Sequence, residues 1–215
     1  MSKQFVAIVV ACLIALFGIF AVTSKKDSNT NNTTNGSKAT LSNNVMGKNT
    51  KKVTLVEYGD FQCPACGQYH PIVKQLVSQY ENDIQFQFRN FPLQTIHPNA
   101  RASARAAEAA GKQGKYWEMH NMLYEKQSEW TESSNAKAIF QNYAKQLNLN
   151  STKFDTDFAS DDVNSIISAD YNEGVKLGVN ATPSFFVQGK KIQNPQTLDE
   201  FKKVIDDAIK AAAKK

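Results

Sequence analysis

Apolar positions change period several times along the chain, and each change predicts an element. Residues 5–22 form one apolar run without a charge, just long enough to span a bilayer as a helix. From 25 to 50 the pattern dissolves into Asn, Thr, Ser and Lys, the composition of a disordered tether. Val53-Thr-Leu-Val-Glu-Tyr, bounded by Gly59-Asp60, predicts a buried strand. Beyond it, Tyr69, Ile72, Val73, Leu76, Val77 and Tyr80 recur at helical spacing, with Pro71 placed to kink the helix after its first turn. Ile84-Gln-Phe-Gln-Phe-Arg alternates strictly, as in a half-buried strand. Strand, helix and strand in succession point to a parallel pair.

Residues 95–178 read as wholly helical. His97-Pro-Asn99 offers a cap before the alanine-rich Ala100–Ala110. One stripe follows at Tyr116, Met119, His120, Leu123 and Tyr124, another at Ala138, Ile139, Tyr143 and Leu147, and a last through Phe154, Phe158 and Val163 to Val175. His97 and His120 fit packing or capping on these helices, and neither is assigned a role. Ser184–Gln188 then predicts a strand, Gly189-Lys190 a turn and Lys191–Gln193 a returning strand. Leu198–Ala212 predicts a closing helix, capped by Thr197 or Asp199, with Phe201, Val204, Ile205 and Ile209 on one face.

Composition changes this picture in two places. An apolar content of 41% over 215 residues, with 13 phenylalanines, supports a substantial core. A net charge of +5, carried mostly by scattered lysines, does not favour a nucleic-acid partner. For residues 1–24 the choice is between a membrane anchor and a cleaved signal peptide. The run is long for a signal peptide and Val22-Thr23-Ser24 is a poor cleavage site, so an uncleaved anchor is expected. Cys12 lies inside that run, which continues past it, and reads as a lipid-facing or packing residue.

The remaining cysteines carry the candidate chemistry. In Cys63-Pro-Ala-Cys66, Pro64 suits the first turn of a helix. That places Cys63 at the helix N-terminus, where N–H groups and the dipole stabilise a thiolate. Cys66, one turn in, would be shielded and ready to attack Cys63. A purely structural disulfide closing so small a ring would contribute only about 2 kcal/mol, against about 4.7 for a 100-residue loop. Cys63, Cys66 and His70 offer three ligands for a metal-binding module, but no second CxxC or His pair completes a cage. Redox chemistry is the stronger reading.

The order of elements resembles a thioredoxin fold with a helical domain inserted after the second strand. The chain is similar to the DsbA family of extracytoplasmic thiol-disulfide oxidoreductases, more closely to its BdbD-like branch. The resemblance rests on Val53–Cys66 (with Glu57 and Asp60-Phe61-Gln62), His97-Pro-Asn-Ala, Lys115-Tyr-Trp-Glu-Met-His120 and Val179-Asn-Ala-Thr-Pro-Ser-Phe-Phe-Val187. It implies an α/β thioredoxin-like domain from 51–94 and 179–215 with an all-helical insertion at 95–178. It implies that Cys63 is the nucleophile and Cys66 the resolving cysteine, and that Glu57 is a buried acid beneath the pair that relays a proton. Thr182-Pro183 becomes a cis-proline loop facing the cysteines, forming the substrate surface with Pro64 and Ala65. The family's histidine-containing dipeptide is absent here, which leaves helix N–H groups to stabilise the thiolate. No cofactor is implied beyond the Cys63–Cys66 disulfide. The implied reaction is disulfide donation to cysteine pairs of exported proteins, by a monomer re-oxidised by a DsbB-like or VKOR-like membrane quinone oxidoreductase. The resemblance does not cover the tether or the run before it; the apolar run at 5–22 gives the expected location, the cell membrane, single-pass, with the catalytic domain outside the cytoplasm, or secreted or periplasmic if 1–24 are cleaved. A membrane-tethered reductase or isomerase is the rival direction.

Overall fold

In the computed structural model, residues 40–214 are described. The predicted span 5–22, Cys12 and the tether up to residue 39 lie outside the described residues. The last part of that tether is not disordered: Val45–Met46 forms β1, antiparallel to β3 (Ile84–Asn90). Two residues are enough because tertiary contacts hold them. The Ser42 backbone N–H donates to Asp170 (2.9 Å) and Met46 packs against the core.

β2 (Val53–Gly59) and β3 are the predicted parallel pair, in register from Val53 opposite Ile84 to Gly59 opposite Asn90. β4 (Ser184–Val187) returns antiparallel to β2, and β5 (Lys190–Lys191) completes a sheet of order β1-β3-β2-β4-β5. The hairpin turns at Gln188-Gly189, one residue before the expected Gly189-Lys190. Both residues have positive φ, 51° and 75°, as a two-residue turn matching strand twist requires.

α1 (Pro64–Gln79) follows β2 and continues as one element through Pro71. α8 (Leu198–Ala212) closes the chain, with the Thr197 hydroxyl accepting from Glu200 N at its start. Val73, Leu76 and Val77 of α1 join Phe201 and Ile205 of α8 and Val53, Leu55, Ile84 and Phe86 of the strands in one core. Strand alternation puts Glu57 on the face of Val53 and Leu55.

Between β3 and β4 the described elements are all helical: α2 (Ala100–Gly111), α3 (Tyr116–Glu125), α4 (Gln127–Trp130), α5 (Ala136–Gln146), α6 (Ser151–Ala159) and α7 (Asp161–Lys176). The last predicted stripe is two helices. Ser160 turns extended (φ −70°, ψ 149°), and its hydroxyl accepts from Val163 N to start α7, a side-chain cap that satisfies an otherwise orphaned N–H. Asn99 sits at the N-cap position of α2 but does not cap it; its amide reaches the carbonyls of Trp130, Thr131 and Ser133 instead.

A buried polar cluster ties this helical block to β3. Asp170 pairs with Arg89 and accepts from Asn90 N, while Asn90 also donates to Glu108. Burial pushes the Glu108 carboxyl up to about 7 and raises Asp170 as well.

The expected single-pass membrane location is corrected here. Among the described residues no helix is long and apolar enough to cross a membrane. The longest, α1 and α7, have 16 residues each and carry polar faces, short of the ~20 apolar residues a span needs.

Candidate active site

Cys63 is the N-cap residue of α1, extended at φ −67° and ψ 121°, with Pro64 at the first helical position as expected. The turn leading to it is pinned by buried Asp60. Its carbonyl accepts from Cys63 N (3.0 Å), and its carboxylate accepts from Gln62 N (2.8 Å) and Leu93 N (3.0 Å) and meets His97 Nδ1 (2.7 Å). Pro64 is exposed and Ala65 half-buried, so the dipeptide faces outward between the cysteines.

Both cysteines are free thiols, and their ionisation is driven apart. Cys63 is pulled down from 9.0 to about 5. The chief cause is a hydrogen bond from the Cys66 thiol; Thr182 and the N–H groups of Cys66 and Ala65 add to it and outweigh desolvation. Helix N–H groups therefore contribute less than the sequence implied, because the neighbouring Cys66 thiol is better placed. Cys66 is fully buried and moves well above its ordinary value, first through burial, then by donating to Cys63, then by repulsion from Glu57 and Cys63.

Glu57 lies beneath the pair, flanked in the sheet by Phe88 of β3 and Phe185 of β4, and is 3% exposed. Burial, and secondarily the Cys63 thiolate, raises its carboxyl to about 8. It borders a cavity of about 330 Å³ shared with His70, Trp117, His120, Val73 and Phe86. Burial holds both imidazoles neutral, pulling His120 down to about 3 and lowering His70. His70 stacks on Tyr124 with centroids 5.1 Å apart, and His120 packs among Phe61, Phe88 and Trp117. Among the described residues no group of three His, Cys, Asp or Glu side chains is placed to hold a metal ion. Cys63, Cys66 and His70 thus do not converge as ligands.

The Thr182–Pro183 peptide is cis and faces the cysteines, with Thr182 O 3.4 Å from Cys63 Sγ. The Thr182 hydroxyl is buried with no hydrogen-bond partner, and Asn194 Nδ2 holds the Pro183 carbonyl at 2.7 Å.

Two side-chain amides around the turn escaped sequence reasoning. Gln62 Nε2 donates to Thr131 O (2.9 Å), and its Oε1 accepts from Asn99 N (2.6 Å). Gln127 Nε2 donates to the carbonyls of Phe61 (2.7 Å) and Cys63 (3.0 Å). The available signal was weak: Gln62 is a polar residue directly before Cys63, and it is 5% exposed.

The family model described as thioredoxin matches residues 39–207. The chain is 31% identical over 172 residues to the probable disulfide bond formation protein D of Bacillus cereus, covering 77% of this chain and 78% of that protein. It is 36% identical over 166 residues to the Na(+)/H(+) antiporter NhaA 1 of Salinispora arenicola, covering 77% of this chain and 24% of the antiporter. The chain thus spans about a quarter of the length of the antiporters it matches. The structure of oxidised BdbD from Bacillus subtilis superposes with a TM-score of 0.68 at 26% identity, covering 77% of this chain and 92% of that one.

Proposed function

The chain belongs to the thioredoxin family, among its DsbA- and BdbD-like thiol-disulfide oxidoreductases, and from that premise we propose that it donates its Cys63–Cys66 disulfide to cysteine pairs of exported proteins. One observation carries the direction: two thiols a helical turn apart are driven to opposite sides of neutral pH. A thiolate stabilised on Cys63 stabilises the reduced form, which makes the disulfide a ready donor.

A substrate thiolate attacks Cys63 Sγ of the disulfide. The Cys63–Cys66 bond breaks, a mixed disulfide joins substrate to Cys63, and Cys66 leaves with the electron pair. Glu57, protonated near neutral pH, supplies the proton that makes Cys66 a thiol. The second substrate thiolate then attacks the substrate sulfur of the mixed disulfide, and Cys63 leaves as the thiolate the site already favours. Substrate is oxidised by two electrons and the enzyme reduced by two. Pro64 and Ala65 on one side and the Thr182-Pro183 loop on the other bound the approach, and the backbone of Thr182 is placed to pair with an extended substrate segment.

Such a donor works where disulfides persist, outside the cytoplasm, and needs an oxidant to restart. A DsbB-like or VKOR-like quinone oxidoreductase fits that need. The reductase direction is not favoured, because it would require a less stabilised Cys63 thiolate. The test is the thiol-disulfide equilibrium in glutathione buffers. A potential more oxidising than about −200 mV supports donation, and one near thioredoxin's, about −270 mV, reverses the direction. Cys66→Ser should trap mixed disulfides through Cys63, whereas Cys63→Ser should abolish exchange.

A further inference from the structure

Gln127 opens α4 in the helical insertion, far in sequence from the cysteines, yet its amide is seated in the catalytic turn. Nε2 bridges two carbonyls, Phe61 O at 2.7 Å and Cys63 O at 3.0 Å. The second of these is also the acceptor of the first helical bond of α1, from Gly67 N at 3.1 Å. On its other side the amide lies against Gly67. A Cβ added there would stand 2.6 Å from Gln127 Oε1, 3.2 Å from Cδ and 3.3 Å from Nε2, so α1 has a glycine where the amide passes. The lock is reciprocal, since Gln62, between the two bridged carbonyls, returns its own amide to Thr131 O.

We propose that Gln127 is a positioning residue for the Cys63 thiolate, through which the helical insertion sets the reactivity of the nucleophile. The proposal rests on Cys63 being that nucleophile. Its physical basis is local. Phe61 and Cys63 are buried, and a carbonyl left without its donor turns to find another. Rotating the Cys63 peptide plane moves the first turn of α1, whose Ala65 and Cys66 N–H groups stabilise the thiolate. Holding both carbonyls keeps those N–H groups aimed at Sγ.

Two variants approach the same contact from opposite sides. Gln127→Leu keeps the bulk and removes the donor. Gly67→Ala leaves Gln127 intact and pushes its amide off the carbonyls. The readouts are the Cys63 pKa, from the ultraviolet absorbance of the thiolate in the reduced full-length protein, and the equilibrium with glutathione. Both variants should raise the Cys63 pKa by roughly half to one pH unit and shift the equilibrium toward the disulfide form, while Ser128→Ala, an exposed neighbour, changes neither. A merely structural strut would lower thermal stability and leave the Cys63 titration where it was. Folded variants with an unmoved Cys63 pKa overturn the proposal; should Gln127→Leu fail to fold, an unmoved pKa in Gly67→Ala overturns it alone. Wild-type protein that does not exchange with glutathione would overturn the functional reading instead, while the difference in Cys63 titration still decides the role of Gln127.

Discussion

Acidification should destabilise the reduced protein relative to the oxidised one, by an amount the site geometry sets. The Cys63 pKa is about 5 in the fold against an ordinary 9.0, so near neutral pH the folded dithiol form holds a thiolate where the unfolded chain holds a thiol. A depressed pKa gives a contribution that is complete above pH 9 and is lost as pH falls through 5. The oxidised form has no Cys63 thiol to titrate and lacks it. Without screening this contribution is about 2.7 kcal/mol at pH 7 and about 0.4 at pH 5. Solvent screening at a sulfur near the surface reduces the change between those pH values to roughly 1–2 kcal/mol. Subtracting one redox form from the other cancels what they share: the burial of Glu57, Glu108 and Asp170. Only the repulsion between Glu57 and the Cys63 thiolate, the lesser cause of the raised Glu57 pKa, survives subtraction and trims the difference. The ring closed by the disulfide favours the oxidised form by about 2 kcal/mol, but this offset does not vary with pH. The assay is urea unfolding of both forms at pH 5, 6 and 7. The reduced-minus-oxidised stability should climb by roughly 1–2 kcal/mol across that range. A flat or falling difference refutes a stabilised thiolate at Cys63.

Glu57→Gln should slow the single-turnover reaction with a dithiol peptide by about tenfold or more while leaving the Cys63 titration nearly in place; an unchanged rate removes Glu57 from the proton path. Glu108→Gln tests a second buried carboxyl. A pKa raised to about 7 gives stability that is full below pH 4.5 and lost as pH rises through 7, about 3 kcal/mol in all, and the variant's unfolding curve should lose that part of the pH dependence. Gly174→Ala should lower thermal stability. Its Cβ would come within 2.7 Å of the Phe91 ring and 3.0 Å of Tyr58, an overpacking cost of about 1–3 kcal/mol, whereas Gly→Ala at an open helical site would add about 1 kcal/mol.

What was legible in the sequence is what periodicity and local chemistry determine. The alternation of Ile84–Arg89, the helical spacing beyond Cys66 and the proline after Cys63 each act over a few residues, and each marks its element. The parallel pair follows from their order. Val45–Met46 was not legible, because a two-residue strand has no period and is held by Ser42 on Asp170 and by packing of Met46. The junction at Ser160 was hidden because apolar residues on both sides stay in helical phase, and a single hydroxyl cap separates α6 from α7. Asn99 misled for the opposite reason: it has the chemistry and the position of a cap, but its amide bonds the carbonyls of Trp130, Thr131 and Ser133. The side-chain lock on the catalytic turn, made by Gln62 and Gln127, links residues 64 to 69 positions apart, which no local pattern registers.

The burial of Glu57 decides between a structural and a chemical reading of the strand beneath the cysteines. Val53 and Leu55 occupy the same face of β2 and belong to the core. Position 57 continues that row between Phe88 and Phe185, where an apolar side chain would add stability. A carboxyl there, with its pKa raised to about 8 by burial, is instead costly whenever it is ionised. Burial is the chief cause of its shift, and among the described residues it joins no ion pair. The group that benefits is Cys66, buried above its ordinary pKa and unable to leave or attack without a proton being supplied or removed. Cys63 needs no such partner, because the hydrogen bond from Cys66, with the first N–H groups of α1, already stabilises its charged form. On the proposed mechanism the asymmetry of the two sulfurs and the buried carboxyl form one arrangement: a thiolate held at the head of α1, and a proton held in the core for the thiol behind it.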